Sequence, residues 1–338
     1  MIGRYLKIVF LLLGGALFAL VLVKTDTNLL LTQIANIGIG GALVILVVYI
    51  LYFGADSLSW QVTIGGIPMN FKWFVRFYAV RMVGEAYNNI TPVASMGGEP
   101  LKAWLLKSNW RIPLTDSSVG LVVSKTTSMF TLVVFVALGV ALSFQHPGLD
   151  LEEKHRGAIG LSLIICFAYV FFLMQKLKFL SALSRFLDRK VGKVSFKRIV
   201  SVAEMIDRQF ETFYSFQKGR LLLSSFFAMI NWILGATEIY FIFLFVGNPL
   251  TFQEAWMLEC FIQLVRTLTF FVPAGIGTQE GAFFLGAGMI TGVSSIGVAA
   301  ALVRRARDIF WISVSLAILS FFSVKPTSGE LQNRDFRL

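Results

Sequence analysis

The chain has 338 residues, 56% of them hydrophobic and only 14% charged, with 33 phenylalanines. Soluble domains run nearer roughly 45–50% apolar and about 25% charged, so a soluble globular fold is excluded and an all-α polytopic integral membrane protein is indicated. The net charge of +11 gathers in hydrophilic segments beside apolar runs, with no recognition motif. It reads as the Lys and Arg bias of cytoplasmic loops and attraction to anionic lipid, not as nucleic-acid binding.

Taken in order, the apolar runs are Tyr5–Val23, Gly38–Gly54, Phe71–Leu106, Ser118–Phe144, Ala158–Met174, Leu221–Val246, Phe252–Ile290 and Ile296–Phe322. The first is expected to be a retained span, since "LVLVKTDT" lacks a small-residue cleavage pattern. Two of the runs are interrupted: the first by "TPVASMGGEP" (Thr91–Pro100), the second by "VPAGIGTQEG" (Val272–Gly281). The remaining six are long enough, or nearly so, for the roughly 20 residues a spanning helix needs.

Charge sets the orientation. The segment from Lys176 to Arg220 holds eleven Lys and Arg against four acids and is expected on the cytoplasmic side. Segment 175–219 reads as basic and amphipathic, either a solvated linker or a lipid-adhering surface. Both termini carry bases and are expected on the same side of the cell (inner) membrane. This works only if each interrupted region dips in and returns, so the expectation is about six full transmembrane helices plus two re-entrant helical hairpins, near 71–106 and 252–290.

The two breaks correspond. Pro92 precedes Glu99 by seven residues, and Pro273 precedes Glu280 by seven. Glu85 and Arg266 lie seven residues ahead of the respective prolines, and "SSVGLVV" and "SSIGVAA" follow the breaks, at an offset of about 180 residues. Broken backbone at membrane depth survives only inside protein or against a wet cavity. Matching breaks in two halves are the pattern of an inverted-topology repeat around a central site. The halves are expected at 38–144 and 220–322 of a single transmembrane domain.

Charges within spans are costly and usually paired or functional. The first cluster is Arg81, Glu85, Asn88, Glu99 and Lys102, where spacings of four and three allow Arg81–Glu85 and Glu99–Lys102 pairs. It is read either as a structural network or as a polar wall for a headgroup. The second is Arg266, Gln279, Glu280, Arg304, Arg305, Arg307 and Asp308. Here Arg304 is expected to pair with Asp308, leaving a positive surplus suited to a phosphate, while snorkelling of one or two arginines is the plainer alternative. Glu238 is a proton site or an ion-pair partner, and Lys125 is expected to pair with a carboxylate of the first cluster. Glu99 and Glu280 are expected to approach each other at the starts of two short helices, whose N-termini favour anions. Cys166 and Cys260 lie in apolar runs and the two histidines in one short loop. No metal, disulfide or cofactor is expected.

The patterns "NNITPVASMGGEPLKAWLL" and "VPAGIGTQEGAFFLGAGMITG", the latter followed by "AAALVRRARDIFW", resemble the lysylphosphatidylglycerol synthetase membrane-domain, or flippase-like, family. The resemblance covers most of the chain. In two-domain members it implies movement of an aminoacylated phospholipid between leaflets, with a soluble domain making that lipid. No such domain is expected after Phe322, so aminoacyl transfer is not carried over. Lys102 stands where the family pattern suggests arginine, which weakens a bidentate phosphate grip there. Stand-alone relatives are associated with hopanoids and polyprenyl-linked glycans, so lipid identity does not transfer. The expected function is translocation of a polar, phosphate-bearing lipid, a phospholipid or a polyprenyl-linked lipid, by a non-enzyme. A secondary transporter of a small anion and a membrane-embedded transferase are the alternatives.

Overall fold

The computed structural model describes residues 35–90, 97–148, 150–178, 217–269 and 275–322 with few gaps, and scattered residues elsewhere. The expected first span, residues 91–96 of the first break, most of the basic segment and the tail lie outside the described residues. Among the described residues, nine helices carry the fold: α1 (Gly38–Thr63), α2 (Phe71–Ile90), α3 (Gly98–Trp110), α4 (Leu114–Gln145), α5 (Leu151–Lys176), α6 (Lys218–Val246), α7 (Phe252–Leu268), α8 (Thr278–Thr291) and α9 (Ser294–Leu319).

Four have the length and apolarity to cross a membrane: α1, α4, α5 from Lys154 onward, and α6. Helix α9 has the length but carries Arg304, Arg305, Arg307 and Asp308 through its middle. Large apolar side chains face outward, including Leu43 and Val47 on α1 and Ile159, Leu163 and Phe167 on α5. Such a surface suits lipid rather than water. Some hydroxyls inside the spans are satisfied locally: Thr126 and Thr127 donate to the carbonyls four residues back at 2.9 Å.

The helix starts repeat. Gly38, Phe71, Gly98 and Leu114 begin α1 to α4, and Lys218, Phe252, Thr278 and Ser294 begin α6 to α9, each 180 or 181 residues on. The packing follows the same plan. Helix α2 packs on α3 as α7 does on α8, and α2 on α9 as α7 does on α4. Each set has its own apolar core, around Trp60, Phe77 and Leu105 in one and Phe243, Leu258 and Phe283 in the other.

The sets meet where α1 runs antiparallel to α6. Asn231 Nδ2 donates to Tyr52 O at 2.9 Å, the hydroxyls of Ser59 and Ser224 are 3.0 Å apart, and Gly41 lies against Phe245. As residue numbers fall along α1, their partners rise along α6. Between α2 and α3, and between α8 and α9, the contacts are backbone-close. A Cβ on Gly98 would lie 1.9 Å from Gly84 O, and one on Gly297 would lie 2.1 Å from Phe283 O. Small residues at membrane helix crossings allow this approach.

The described part of the basic segment docks on the bundle. Phe210 and Phe213 are buried against Val119 and Val123 of α4, and Tyr214 Oη donates to Gln175 at 2.7 Å. Outside the spans, the hydrogen bond and charge of Lys178, 2.8 Å away, hold the Glu211 carboxyl below its ordinary pKa.

Candidate functional site

Helices α3 and α8 both begin at the end of a break, and each carries its glutamate in the first turn. Their starts leave free N–H groups to be satisfied. At α3 the partner comes from the preceding helix: Asn88 Oδ1 accepts from Gly98 N–H at 2.7 Å. At α8 the helix caps itself, with Glu280 Oε2 accepting from Gly277 N–H at 2.8 Å. Gly275 and Gly277 have φ of 59° and 80°, the left-handed region that favours glycine.

Around the first start lies one ion-pair network. Arg81 Nη1 is 3.0 Å from Glu85, Lys102 Nζ is 2.8 Å from Glu99, and Lys125 Nζ is 3.6 Å from Glu99. The first two are the pairings expected from spacing, and the third gives Lys125 a carboxylate of this cluster as expected. Asn88 Nδ2 links Glu85 and Glu99 at 3.3 and 3.4 Å. Arg81 also pairs with Asp56 of α1, which the sequence reading missed. Asp56 lies near the end of an apolar span, and nothing in its own spacing marks Arg81, 25 residues on, as its partner.

The second network differs from expectation. Arg304 does not pair with Asp308. Its Nε is 3.1 Å from Glu238 and its Nη2 is 2.8 Å from Glu259, all three side chains being buried. Asp308 is taken by Arg307 at 2.7 Å. Arg307 folds inward, pairing also with Glu238 and covering the Tyr49 ring at 3.8 Å, rather than snorkelling. Arg305 Nε is 2.5 Å from Glu280, and its Nη2 donates to Gly275 O at 3.0 Å. Glu238 is therefore an ion-pair residue. The positive surplus also disappears once Glu238 and Glu259 are counted: Arg266, Arg304, Arg305 and Arg307 stand against Glu238, Glu259, Glu280 and Asp308. Glu259 of α7 was not singled out in the sequence, and its burial beside Arg304 identifies it.

Between the networks lies a polar cavity of about 290 Å³. Its wall includes Asp56, Arg81, Glu85, Asn88 and Lys125 from one set and Asn231, Gln263, Arg266, Gln279 and Asp308 from the other. Of the residues singled out in the sequence, Glu99, Lys102, Glu280, Arg304 and Arg305 stand behind this wall in their ion pairs. Arg266 makes no ion pair among the described residues and is exposed to the cavity. Gln279 is 5% exposed, and its Nε2 has no hydrogen-bond partner among them. Among the described residues no cluster of histidine, cysteine and carboxylate side chains could hold a metal ion.

A lipid-faced helical bundle with an ion-paired polar centre defines a polytopic membrane protein. The chain belongs to the family described as the lysylphosphatidylglycerol synthase TM region, whose model matches residues 6–316. It is 25% identical over 294 residues to a UPF0104 membrane protein of Methanothermobacter thermautotrophicus, covering 79% of this chain and 80% of that one. It is 28% identical over 250 residues to the UPF0104 membrane protein PH1989 of Pyrococcus horikoshii, covering 69% and 73%. No solved structure matches.

Proposed function

We propose that the protein moves a lipid with a polar, phosphate-bearing headgroup between the leaflets of the cell membrane. The observation that carries this reading is the polar cavity, walled by both hairpins inside a bundle whose outer surface is apolar. The headgroup enters the cavity, where Arg266 and Lys125 meet the phosphate and Gln279 Nε2 donates to it. Guanidinium suits phosphate oxygens geometrically. An apolar groove of about 230 Å³, bounded by Gly139, Cys260, Leu264 and Gly286, lies across α7 from the cavity and takes an acyl chain of the same molecule.

In this reading α2–α3 and α7–α8 are re-entrant hairpins in an inverted repeat. Support comes from the shared register of helix starts and from the antiparallel packing of the equivalent helices α1 and α6. Inverted halves must place equivalent helices in opposite directions. Helices α3 and α8 have 13 and 14 residues. At 1.5 Å per residue they rise about 20 Å, short of the ~30 Å hydrocarbon core. With the basic segment inside, six full spans leave both termini cytoplasmic. The protein acts as a translocator rather than an enzyme.

The test is lipid scrambling in proteoliposomes carrying fluorescent phosphatidylglycerol. Accelerated leaflet exchange over empty vesicles, reduced about tenfold by Arg266→Ala through loss of one charged hydrogen bond, supports the reading. Exchange no faster than in empty vesicles rejects it. Uptake of a soluble anion driven by a pH gradient would instead assign a solute transporter, and product formation in detergent a transferase.

A further inference from the structure

Away from the cavity, the face where α1 and α3 end and α2 and α4 begin carries the bases Lys72, Arg76, Lys107 and Arg111. None makes an ion pair among the described residues, and the nearest acid after Arg111 in the chain is Asp116, in the first turn of α4. Arg76 lies between two indoles, 4.5 Å from the Trp73 ring and 5.2 Å from Trp110. Stacked in this way, a guanidinium keeps its N–H edge for an oxyanion. The Trp73 and Trp110 rings are 6.2 Å apart and tie the start of α2 to the end of α3. Lys107 and Arg111, in and just beyond the last turn of α3, stand one helical turn apart.

Arg111 itself holds an unusual backbone. Its φ is 57°, at the position after α3 where Arg111 N–H donates to Lys107 O at 2.9 Å and Ile112 N–H to Leu106 O at 3.4 Å. That helix ending favours glycine. An exposed arginine there has no packing reason, and Lys107, one turn back, is exposed as well. Next to the bases, Phe71 is 78% and Met69 49% exposed, which places apolar surface beside the cations. Free phosphate has no use for such a flank, whereas a lipid has an acyl chain to lay against it.

We propose that Arg76, Lys107 and Arg111 form a site for the headgroup phosphate of an anionic phospholipid at the membrane surface, distinct from the central cavity. Its occupancy is independent of whether the protein translocates lipid.

The test uses the full chain purified in neutral detergent. It is titrated with dioleoyl phosphatidylglycerol or dioleoyl phosphatidylcholine and followed by native mass spectrometry and thermal unfolding. The wild type is expected to retain phosphatidylglycerol over phosphatidylcholine. Each of Arg76→Gln, Lys107→Gln and Arg111→Gly is expected to weaken phosphatidylglycerol about fivefold, and the three together about a hundredfold, leaving phosphatidylcholine unchanged. Arg111→Gly removes the charge while suiting the left-handed turn, so its unfolding temperature without lipid should hold or rise, which separates lost binding from lost folding. Equal retention of both lipids, undiminished phosphatidylglycerol binding by the triple variant, or full competition by millimolar inorganic phosphate would each overturn the proposal.

Discussion

In the first hairpin, α2–α3, the start of α3 is held by an asparagine of the neighbouring helix, and Glu99 is met by two lysines. In the second, α7–α8, the start of α8 is held by its own Glu280, and that carboxylate is clamped by Arg305, which also reaches the backbone of the break at Gly275. The helix starts match in register, but the chemistry does not. Lysine is a point charge on a flexible stem, while arginine presents a planar fork. The second network is also drier, with Arg304 4%, Glu238 3% and Glu259 1% exposed, against 50% for the Lys125 side chain in the first. One plan therefore yields a drier, arginine-clamped half and a looser half, held by Lys102, Lys125 and Arg81, with more of its charges on the cavity wall.

The largest break in this comparison should come from Arg304→Ala. It leaves buried Glu259 with no cation and Glu238 with Arg307 alone, and losing one partner of a buried ion pair costs about 3–5 kcal/mol. The unfolding midpoint in detergent should fall far more than for Arg81→Ala, whose side chain is already 12% exposed. An equal fall for both would erase the distinction between the halves. Next is Gly98→Ala, whose new Cβ meets the Gly84 carbonyl at 1.9 Å. Overpacking of this kind costs about 1–3 kcal/mol or more, read as lost folded yield on size exclusion. Gly84→Ala should be milder, because the nearest atoms its Cβ meets belong to the Lys102 side chain rather than to backbone.

Much of the first network was legible because its partners lie within one helix or one turn: Arg81 and Glu85, Glu99 and Lys102. Spacing of three and four residues is a local rule, and it holds where the chain itself brings the groups together. The same rule misassigned Arg304 to Asp308. Two carboxylates from other helices, Glu238 and Glu259, offered a buried setting that the local pair could not match. Asp56 and Glu259 were missed for the same reason, since their partners lie 25 and 45 residues away. The helical class and the offset between breaks were legible because composition and register survive without knowing any contact. Which charges would face the cavity was not, because that depends on how α2, α4, α7 and α9 turn against one another.

Arg305→Lys sharpens the contrast at lower cost. Lysine keeps the charge beside Glu280 but loses the second donor that holds Gly275 O. The expected stability loss is about 1–2 kcal/mol, the worth of a charged hydrogen bond. Leaflet exchange should fall more than the unfolding midpoint suggests, since the clamp fixes the break itself. If Arg305→Lys matches wild type in both readouts, the second break owes its position to Glu280 alone, and the arginine lock is not what separates the halves.

The smallest stability effect is expected at Lys125. Its side chain is half exposed and sits 3.6 Å from Glu99, whose nearer partner is Lys102 at 2.8 Å. Exposed ion pairs contribute about 0–1 kcal/mol, so Lys125→Ala should leave the unfolding midpoint nearly unchanged. Its place on the cavity wall predicts a different outcome for transport. If a phosphate takes Lys125 from Glu99 during passage, removing that contact costs on the order of 1.5 kcal/mol, close to tenfold in rate. Lys125→Arg should then restore exchange, because the charge rather than the shape is being tested. A variant that loses stability by more than about 2 kcal/mol yet exchanges lipid at the wild-type rate would make Lys125 a strut of the first hairpin. The looser half would then have no share in the headgroup's path.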